Sequence, residues 1–339
     1  MMFEKPPYGI SDKIINLIAD ISALLPTISP HVSMRLRKDR NIRSVYSSLA
    51  IENNTLSLEQ VTDVINGRRV VGSPTEILEV KNAFAAYSQI EGFNPYSIKD
   101  FLQAHRLMMG ELMDSAGTFR TAGVGVYDGD RLVHAAPRAE LVHGHMKNLL
   151  GWAESAEVHP LIKSSVVHYE IEFIHPFMDG NGRIGRLWQT AILSKWDSLF
   201  LSLPVETVIF ERQSDYYAAL GMSDRAGNST AFIEFMLTAI ADVLALQDKH
   251  QDKHEDKHQV DLSDVQLAVL QALEYKSLSR KEIFAVIGMS SDSRSFKRNM
   301  EPLLTAGLME MTLPDKPSSR LQKYRLTAKG KVVLGGGRV

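Results

Sequence analysis

The chain has 339 residues, 44% of them hydrophobic, enough to bury a large core and to form two or three domains. It contains no cysteine, which excludes disulfides and thiol chemistry. Its formal charge of -2 is unevenly spread, since Leu262 to Val339 holds 13 Lys+Arg against 7 Asp+Glu while the preceding residues hold 25 against 33.

The first residues, Met1-Met2-Phe3-Glu4-Lys5-Pro6-Pro7, lack the layout of a signal peptide, and no apolar stretch of membrane-spanning length is read. A cytoplasmic protein without membrane contact is the expectation. Ile10 to Leu25 repeats apolar residues at helical spacing and ends in Pro26, and further helices are predicted around Asn41 to Ile51 and from Thr75 to Ile90. These helices, within residues 1–100, are expected to pack on the core that follows. Val124-Gly125-Val126-Tyr127 and Arg131-Leu132-Val133-His134 flank Asp128-Gly129-Asp130, a turn signal between β-prone runs that predicts a hairpin. From Leu161 the apolar residues Ile162, Val166, Tyr169, Phe173 and Ile174 recur at three- and four-residue steps behind Pro160, which predicts another helix.

That helix runs into His175-Pro176-Phe177-Met178-Asp179-Gly180-Asn181-Gly182-Arg183-Ile184-Gly185-Arg186. The run places a base, a carboxylate, two cations and a glycine-rich turn within twelve residues. It contains the G-x-G-x-x-G pattern, but that pattern signifies a dinucleotide site only after a strand, and here the flank is helical. No Gly-Lys-Ser/Thr ends the glycine run, so a Walker-type loop is excluded too. Glycines at 180 and 182 permit positive φ and unobstructed amides, and a helix beginning near Arg183 would point its unpaired N–H groups at the same spot. The candidate phosphate-binding segment is therefore Gly180, Asn181, Gly182, Arg183, Ile184, Gly185 and Arg186. The two arginines share a helix face and can bond phosphate oxygens. Asp179 is the candidate magnesium ligand, and His175 can accept the proton of an attacking hydroxyl.

With every fixed position present, the run resembles the Fic signature, His-x-Phe-x-Asp/Glu-Gly-Asn-Gly-Arg-x-x-Arg. The resemblance implies a mainly α Fic fold, a helical bundle with a small β-hairpin flap. It implies transfer of AMP from ATP to a Ser, Thr or Tyr hydroxyl of a protein, itself included, with release of pyrophosphate. His175 would be the general base and Asp179 the Mg2+ ligand. Asn181, Gly182 and Arg183 would cradle the α- and β-phosphates, Arg186 would orient the γ-phosphate, and Phe177 would be a buried anchor. Ser48-Leu49-Ala50-Ile51-Glu52-Asn53 resembles the family's inhibitory-helix motif (about residues 41–53). There the Glu52 carboxylate would replace the γ-phosphate on Arg186, with Ser48 as the motif's first residue. Relatives with this glutamate can also use it to position water for removing AMP. Val124, Gly125, Val126 and Tyr127 would belong to a flap that docks the target segment by strand addition, and Tyr217 with Leu220 would lie at the adenine.

The catalytic core is placed at residues 101–245. Residues 246–261 form a charged linker or an exposed helix extension, in which His250, His254 and His258 at four-residue steps could share a metal on one face. Residues 262–335 read as a winged helix-turn-helix. Its helices are predicted at Val265 to Tyr275, at Ser279 to Ile287 with a Ser279/Glu282 capping box, and at Asp292 to Ala306. Two strand-like runs bracket Pro314-Asp315-Lys316-Pro317 as a wing. Arg294, Lys297 and Arg298 share one face of the third helix, where a DNA reader would place them, although such modules also contact proteins. Two readings thus stand side by side, an AMP transferase and a DNA-binding regulator with an ATP-sensing site. A homodimer is a further partner reading.

Overall fold

Capping chemistry sets many of the helix starts. In the computed structural model, which describes residues 5–27, 34–128, 131–255, 262–274, 276–314, 319 and 321–335, the Ser11 hydroxyl accepts from the Ile14 amide and opens α1 (Asp12–Leu24). Helix α2 (Met34–Ile51) starts seven residues before the predicted Asn41, because Met34 to Arg40 consists largely of good helix formers that lack an apolar stripe. A Ser57/Gln60 capping box opens α3 (Leu58–Ile65), which the apolar periodicity did not reveal. Pro74 occupies the first turn of α4 (Pro74–Ser88), and the Ser97 hydroxyl caps α5 (Ile98–Met109).

Strands β1 (Gly125–Asp128) and β2 (Arg131–Ala135) pair antiparallel, Gly125 facing Ala135 and Asp128 facing Arg131, with an irregularity between Val126 and Tyr127. Val124 lies just outside the strand, and Gly129 and Asp130 of the turn lie outside the described residues. Then come α6 (Ala139–Ser155), α7 (Pro160–Ile174), α8 (Asn181–Trp196), α9 (Val205–Glu211), α10 (Gln213–Ala226) and α11 (Thr230–Glu255). Helices α7 and α8 are buried on nearly every face, through Leu161, Val166, Val167 and Ile171 on one and Ile184, Leu187, Trp188 and Ala191 on the other. They form the centre around which the remaining helices pack.

One expectation needs correcting. Thr230–Gln247 within α11 is long and apolar enough to cross a membrane by length and composition. Its Phe232, Ile233, Met236, Leu237, Ile240 and Leu244 are buried in the core of this unit, so its apolarity is explained by packing against other helices.

The chain divides into two compact units, Met1–Asp252 and Lys253–Val339. Helix α11 continues through Glu255, so the first part of the charged tract is a helix extension. The side chains of the His250, His254 and His258 metal reading lie outside the described residues. The second unit has its own core of Val269, Leu270, Ile283, Phe284, Met300, Leu303 and Leu326. Its elements are α12 (Asp264–Ala272), α13 (Arg280–Val286), α14 (Ser293–Asn299), α15 (Glu301–Thr305), β3 (Met309–Met311), β4 (Tyr324–Leu326) and α16 (Ala328–Gly335). The Ser279/Glu282 capping box is present. Strands β3 and β4 pair antiparallel, and Leu278 bridges to Tyr324. The single helix expected from Asp292 to Ala306 is two helices divided at Met300. Pro302 explains the break, since proline donates no amide hydrogen bond and disfavours helical backbone at the residue before it. The predicted wing residues Asp315, Lys316 and Pro317 lie outside the described residues.

Candidate active site

Helix α7 ends on His175, whose left-handed backbone (φ 50, ψ 60) is unusual for a residue with a side chain. Surrounding bonds hold it there. The buried Arg120 guanidinium donates to the His175 carbonyl at 2.7 Å and to the Ile174 carbonyl at 3.3 Å, and the Arg120 amide donates to Pro176 at 2.9 Å. Arg120 also holds Ala122 at 2.8 Å and Pro137 at 2.5 Å. One side chain therefore fastens both feet of the β1–β2 hairpin to the backbone of the candidate base. His175 Nδ1 lies 3.3 Å from the Glu172 carbonyl. A carbonyl only accepts, so in the neutral ring Nδ1 carries the proton and Nε2 is the basic nitrogen.

The turn after His175 is tied to itself. The Asn181 side chain accepts from the Phe177 amide at 2.9 Å and donates to the Phe177 carbonyl at 3.0 Å. Phe177 is fully buried and stacks on His105, with centroids 3.5 Å apart. Gly180 has φ 82, and a Cβ there would also meet Met109 Sδ at 2.8 Å. Helix α8 begins at Asn181, two residues earlier than expected, so the first amides of its turn are those of Asn181, Gly182 and Arg183.

Three members of the predicted phosphate segment have other reasons for their identity. Gly182 is helical rather than of positive φ, and a Cβ on it would run into Glu52 Oε1 and come within 3.0 Å of Arg186 Nη1. The Ile184 amide is used by Gly180 O at 3.0 Å and its side chain is buried, which corrects its assignment to the phosphates. Gly185 likewise serves packing, since its Cβ would lie 2.9 Å from His168.

Both arginines are occupied by carboxylates. Arg186, 1% exposed, donates to Glu52 Oε1 at 2.7 Å, and also to Ser48 Oγ and Ser48 O, each at 3.0 Å. Burial alone would lower the Arg186 pKa, but the Glu52 carboxylate, Tyr216 and Glu172 together more than offset this and hold it above its ordinary value. Arg183, 4% exposed, pairs with Asp179 and with Glu79, each at 3.1 Å. The other Glu79 oxygen accepts from Asn54 at 2.8 Å, so the segment leaving α2 is linked to this arginine through Glu79. Asp179 remains 65% exposed and accepts from the Gly180 amide at 2.6 Å. Among the described residues no group of three or more His, Asp or Glu side chains could hold a metal by itself. An exposed carboxylate beside a candidate phosphate site still suits magnesium, which takes one or two carboxylates and completes its shell with phosphate and water.

Behind Arg186 lies a polar wall that the sequence did not announce. Buried His168 contacts Gln189 at 2.6 Å and the Tyr216 hydroxyl at 3.2 Å, and that hydroxyl donates to Glu172 at 3.1 Å. Burial pushes His168 down to about 3, so it is neutral. Of the expected adenine pair, Tyr217 is 50% exposed and packs edge-on against Tyr216, while Leu220 is partly buried against the core. Glu79, His105, Arg120 and Tyr216 had no assigned role in the sequence reading. The signal for His105 was a polar residue on the apolar stripe of Phe101, Ala104 and Met108.

Residues 95–193 match the Fic/DOC family, and residues 264–327 match the family described as "Filamentation induced by cAMP protein Fic-like, C-terminal domain". The chain is similar to a crystal structure of a Fic family protein from Desulfovibrio desulfuricans G20. The two are 44% identical with a TM-score of 0.72, covering 96% of this chain and 99% of that one. It is also similar to a protein adenylyltransferase Fic from Nematostella vectensis, 28% identical over 213 residues, which are 60% of this chain and 47% of the relative. A protein adenylyltransferase fic-1 from Caenorhabditis elegans is 29% identical over 214 residues, 60% of this chain and 40% of the relative. The chain thus spans about half or less of the length of these two curated relatives.

Proposed function

The chain belongs to the Fic family, and from that membership we propose that it is a protein adenylyltransferase. It moves AMP from ATP to a Ser, Thr or Tyr hydroxyl of a target protein or of itself. The observation that carries this reading is the convergence of His175, Asp179, Arg183 and Arg186 on the N-terminus of α8. The relatives named protein adenylyltransferase support it.

In this reading the triphosphate lies across the first amides of α8, where the helix dipole favours anions. Arg183 and Arg186 supply charge-assisted bonds to phosphate oxygens. Bound magnesium supplies charge neutralisation on the phosphates, with Asp179 as its protein ligand. His175 Nε2 accepts the proton of the target hydroxyl as its oxygen forms a bond to the α-phosphorus; the bond to the β-phosphate oxygen breaks, and pyrophosphate leaves. The hairpin edge, anchored on His175 through Arg120, offers backbone groups to an extended target segment. Tyr217 and Leu220 are the residues assigned to the adenine.

In the same reading this form is inhibited. Ser48 of α2 and Glu52, just past its end, occupy Arg186 where the γ-phosphate would bind, so ATP entering beside them is held in an unproductive pose. The same carboxylate could instead position water for removing AMP, and the test separates the two directions. Labelled ATP with magnesium is incubated with the chain and a lysate, and AMP adducts are sought by mass spectrometry. Adducts that depend on His175 support transfer, and loss of pre-formed adducts that depends on Glu52 supports removal.

A second reading concerns the C-terminal unit alone. Arg294, Lys297 and Arg298 are exposed on α14 of a capped helical module with a paired β3–β4, which favours a winged-helix contact with duplex DNA.

A further inference from the structure

We propose that His105 is a positioning residue for the Asp179 carboxylate, acting through the peptide plane between Asp179 and Gly180. The proposal rests on Asp179 being the protein's magnesium ligand. His105 lies on α5, fully buried, with its ring parallel to that of Phe177 (5° between planes). Its two nitrogens are matched to different partners. The Gly117 amide points at Nδ1 from 2.9 Å, and an amide only donates, so Nδ1 must carry the lone pair. The Asp179 carbonyl lies 3.0 Å from Nε2, and a carbonyl only accepts, so Nε2 must carry the proton. A single neutral tautomer satisfies both.

The consequence passes through a rigid unit. In a planar trans peptide the carbonyl and the following amide point in opposite directions. Holding the Asp179 carbonyl therefore aims the Gly180 amide, and that amide donates to Asp179 Oδ1 at 2.6 Å. The carboxylate is thus turned toward the mouth of the site by an imidazole that touches neither nucleotide nor metal. The fit leaves no slack, since a Cβ on Gly180 would lie 3.3 Å from His105 Nε2 and one on Gly117 (φ 79) would lie 2.8 Å from Arg106. The same ring joins the Gly117 turn, which leads toward the hairpin, to the phosphate turn.

A buried histidine that merely fills space would respond alike to any loss of the ring, so the test uses two variants that each keep one of its hydrogen bonds. In His105→Gln the side-chain amide nitrogen can reach the place of Nε2 and donate to Asp179. In His105→Asn the amide reaches only the place of Nδ1. Both are made in the full chain carrying Glu52→Gly, and Mn2+ affinity is measured by electron paramagnetic resonance with saturating α,β-methylene ATP. The expected result is that His105→Gln stays within about threefold of its parent while His105→Asn binds Mn2+ at least about tenfold more weakly, the range in which outer partners of metal ligands act. Equal weakening in both, or in neither, overturns the proposal. A 15N spectrum of the unsubstituted chain gives a check that needs no variant to fold: a His105 ring protonated on Nδ1 rather than Nε2 also overturns it. Should the Glu52→Gly parent bind no Mn2+ with the nucleotide, the metal assignment itself fails, an outcome the 15N result keeps distinct.

Discussion

At the scale of the residue, the decisive fact is that Arg186 has its guanidinium filled by Ser48 and Glu52, 138 and 134 residues away in sequence. A buried arginine must be paired, and in the proposed pose a γ-phosphate would compete for the same donors as the carboxylate. Glu52→Gly is therefore expected to raise AMP transfer at least about tenfold, which corresponds to about 1.4 kcal/mol of released stabilisation. Adding Arg186→Ala should abolish that gain, a non-additivity that an adduct assay on the four variants of the cycle reads directly. His175→Ala should remove transfer while ATP binding, measured calorimetrically, stays within about threefold, because the proposed phosphate contacts come from α8 and not from the imidazole. Unchanged single-turnover transfer in that variant would refute the general-base role.

At the scale of elements, α7, the turn and α8 form one unit whose geometry is imposed from outside by Arg120 of the segment before the hairpin. Arg120→Gln should lower kcat by about 10- to 100-fold with little change in the KM for ATP, since it loosens the His175 backbone and leaves the arginines in place. A parallel fall in kcat and rise in KM would instead indicate collapse of the whole turn. Helix α7 also carries Glu170, whose carboxyl burial, and then the neighbouring Asp224, push up to about 7 from an ordinary 4.5. A carboxyl raised in the folded state binds more protons folded than unfolded between those values. Its contribution to stability therefore falls as pH rises from 4.5 to about 7. Glu170→Gln should accordingly melt a few degrees higher than the parent at pH 8, with the difference vanishing toward pH 4, as thermal melts across that range would show.

At the scale of the whole molecule, two separately packed units lie on one chain. Because the second has its own core, deleting residues beyond Leu262 should spare AMP transfer to a free target segment. If α14 contacts DNA, duplex affinity should fall steeply with salt, and replacing Arg294, Lys297 and Arg298 with Ala should flatten the slope by about one per lost phosphate contact. Salt-independent or absent duplex binding would leave the unit as a protein-contact element.

What could be read from the chain alone was whatever depends on neighbours in sequence. The spacing from His175 to Arg186 places base, carboxylate and cations on one turn of backbone, so their convergence was legible without coordinates. The Ser279 capping box was legible for the same reason, and the Pro302 break could have been, since both act over a few residues. Ser48 and Glu52 could be singled out through a motif, but the 2.7 Å contact with Arg186 exists only because α2 packs beside α8. Glu79 on Arg183, Arg120 behind His175 and the His168–Tyr216–Glu172 wall had no local signature, and His105 under Asp179 showed only as a polar residue on the apolar stripe of α5, with nothing to name its partner. Each joins residues 44 to 104 positions apart, and burial rather than sequence spacing selects such partners: a polar group sealed in a helical core must find a bond wherever the fold brings one.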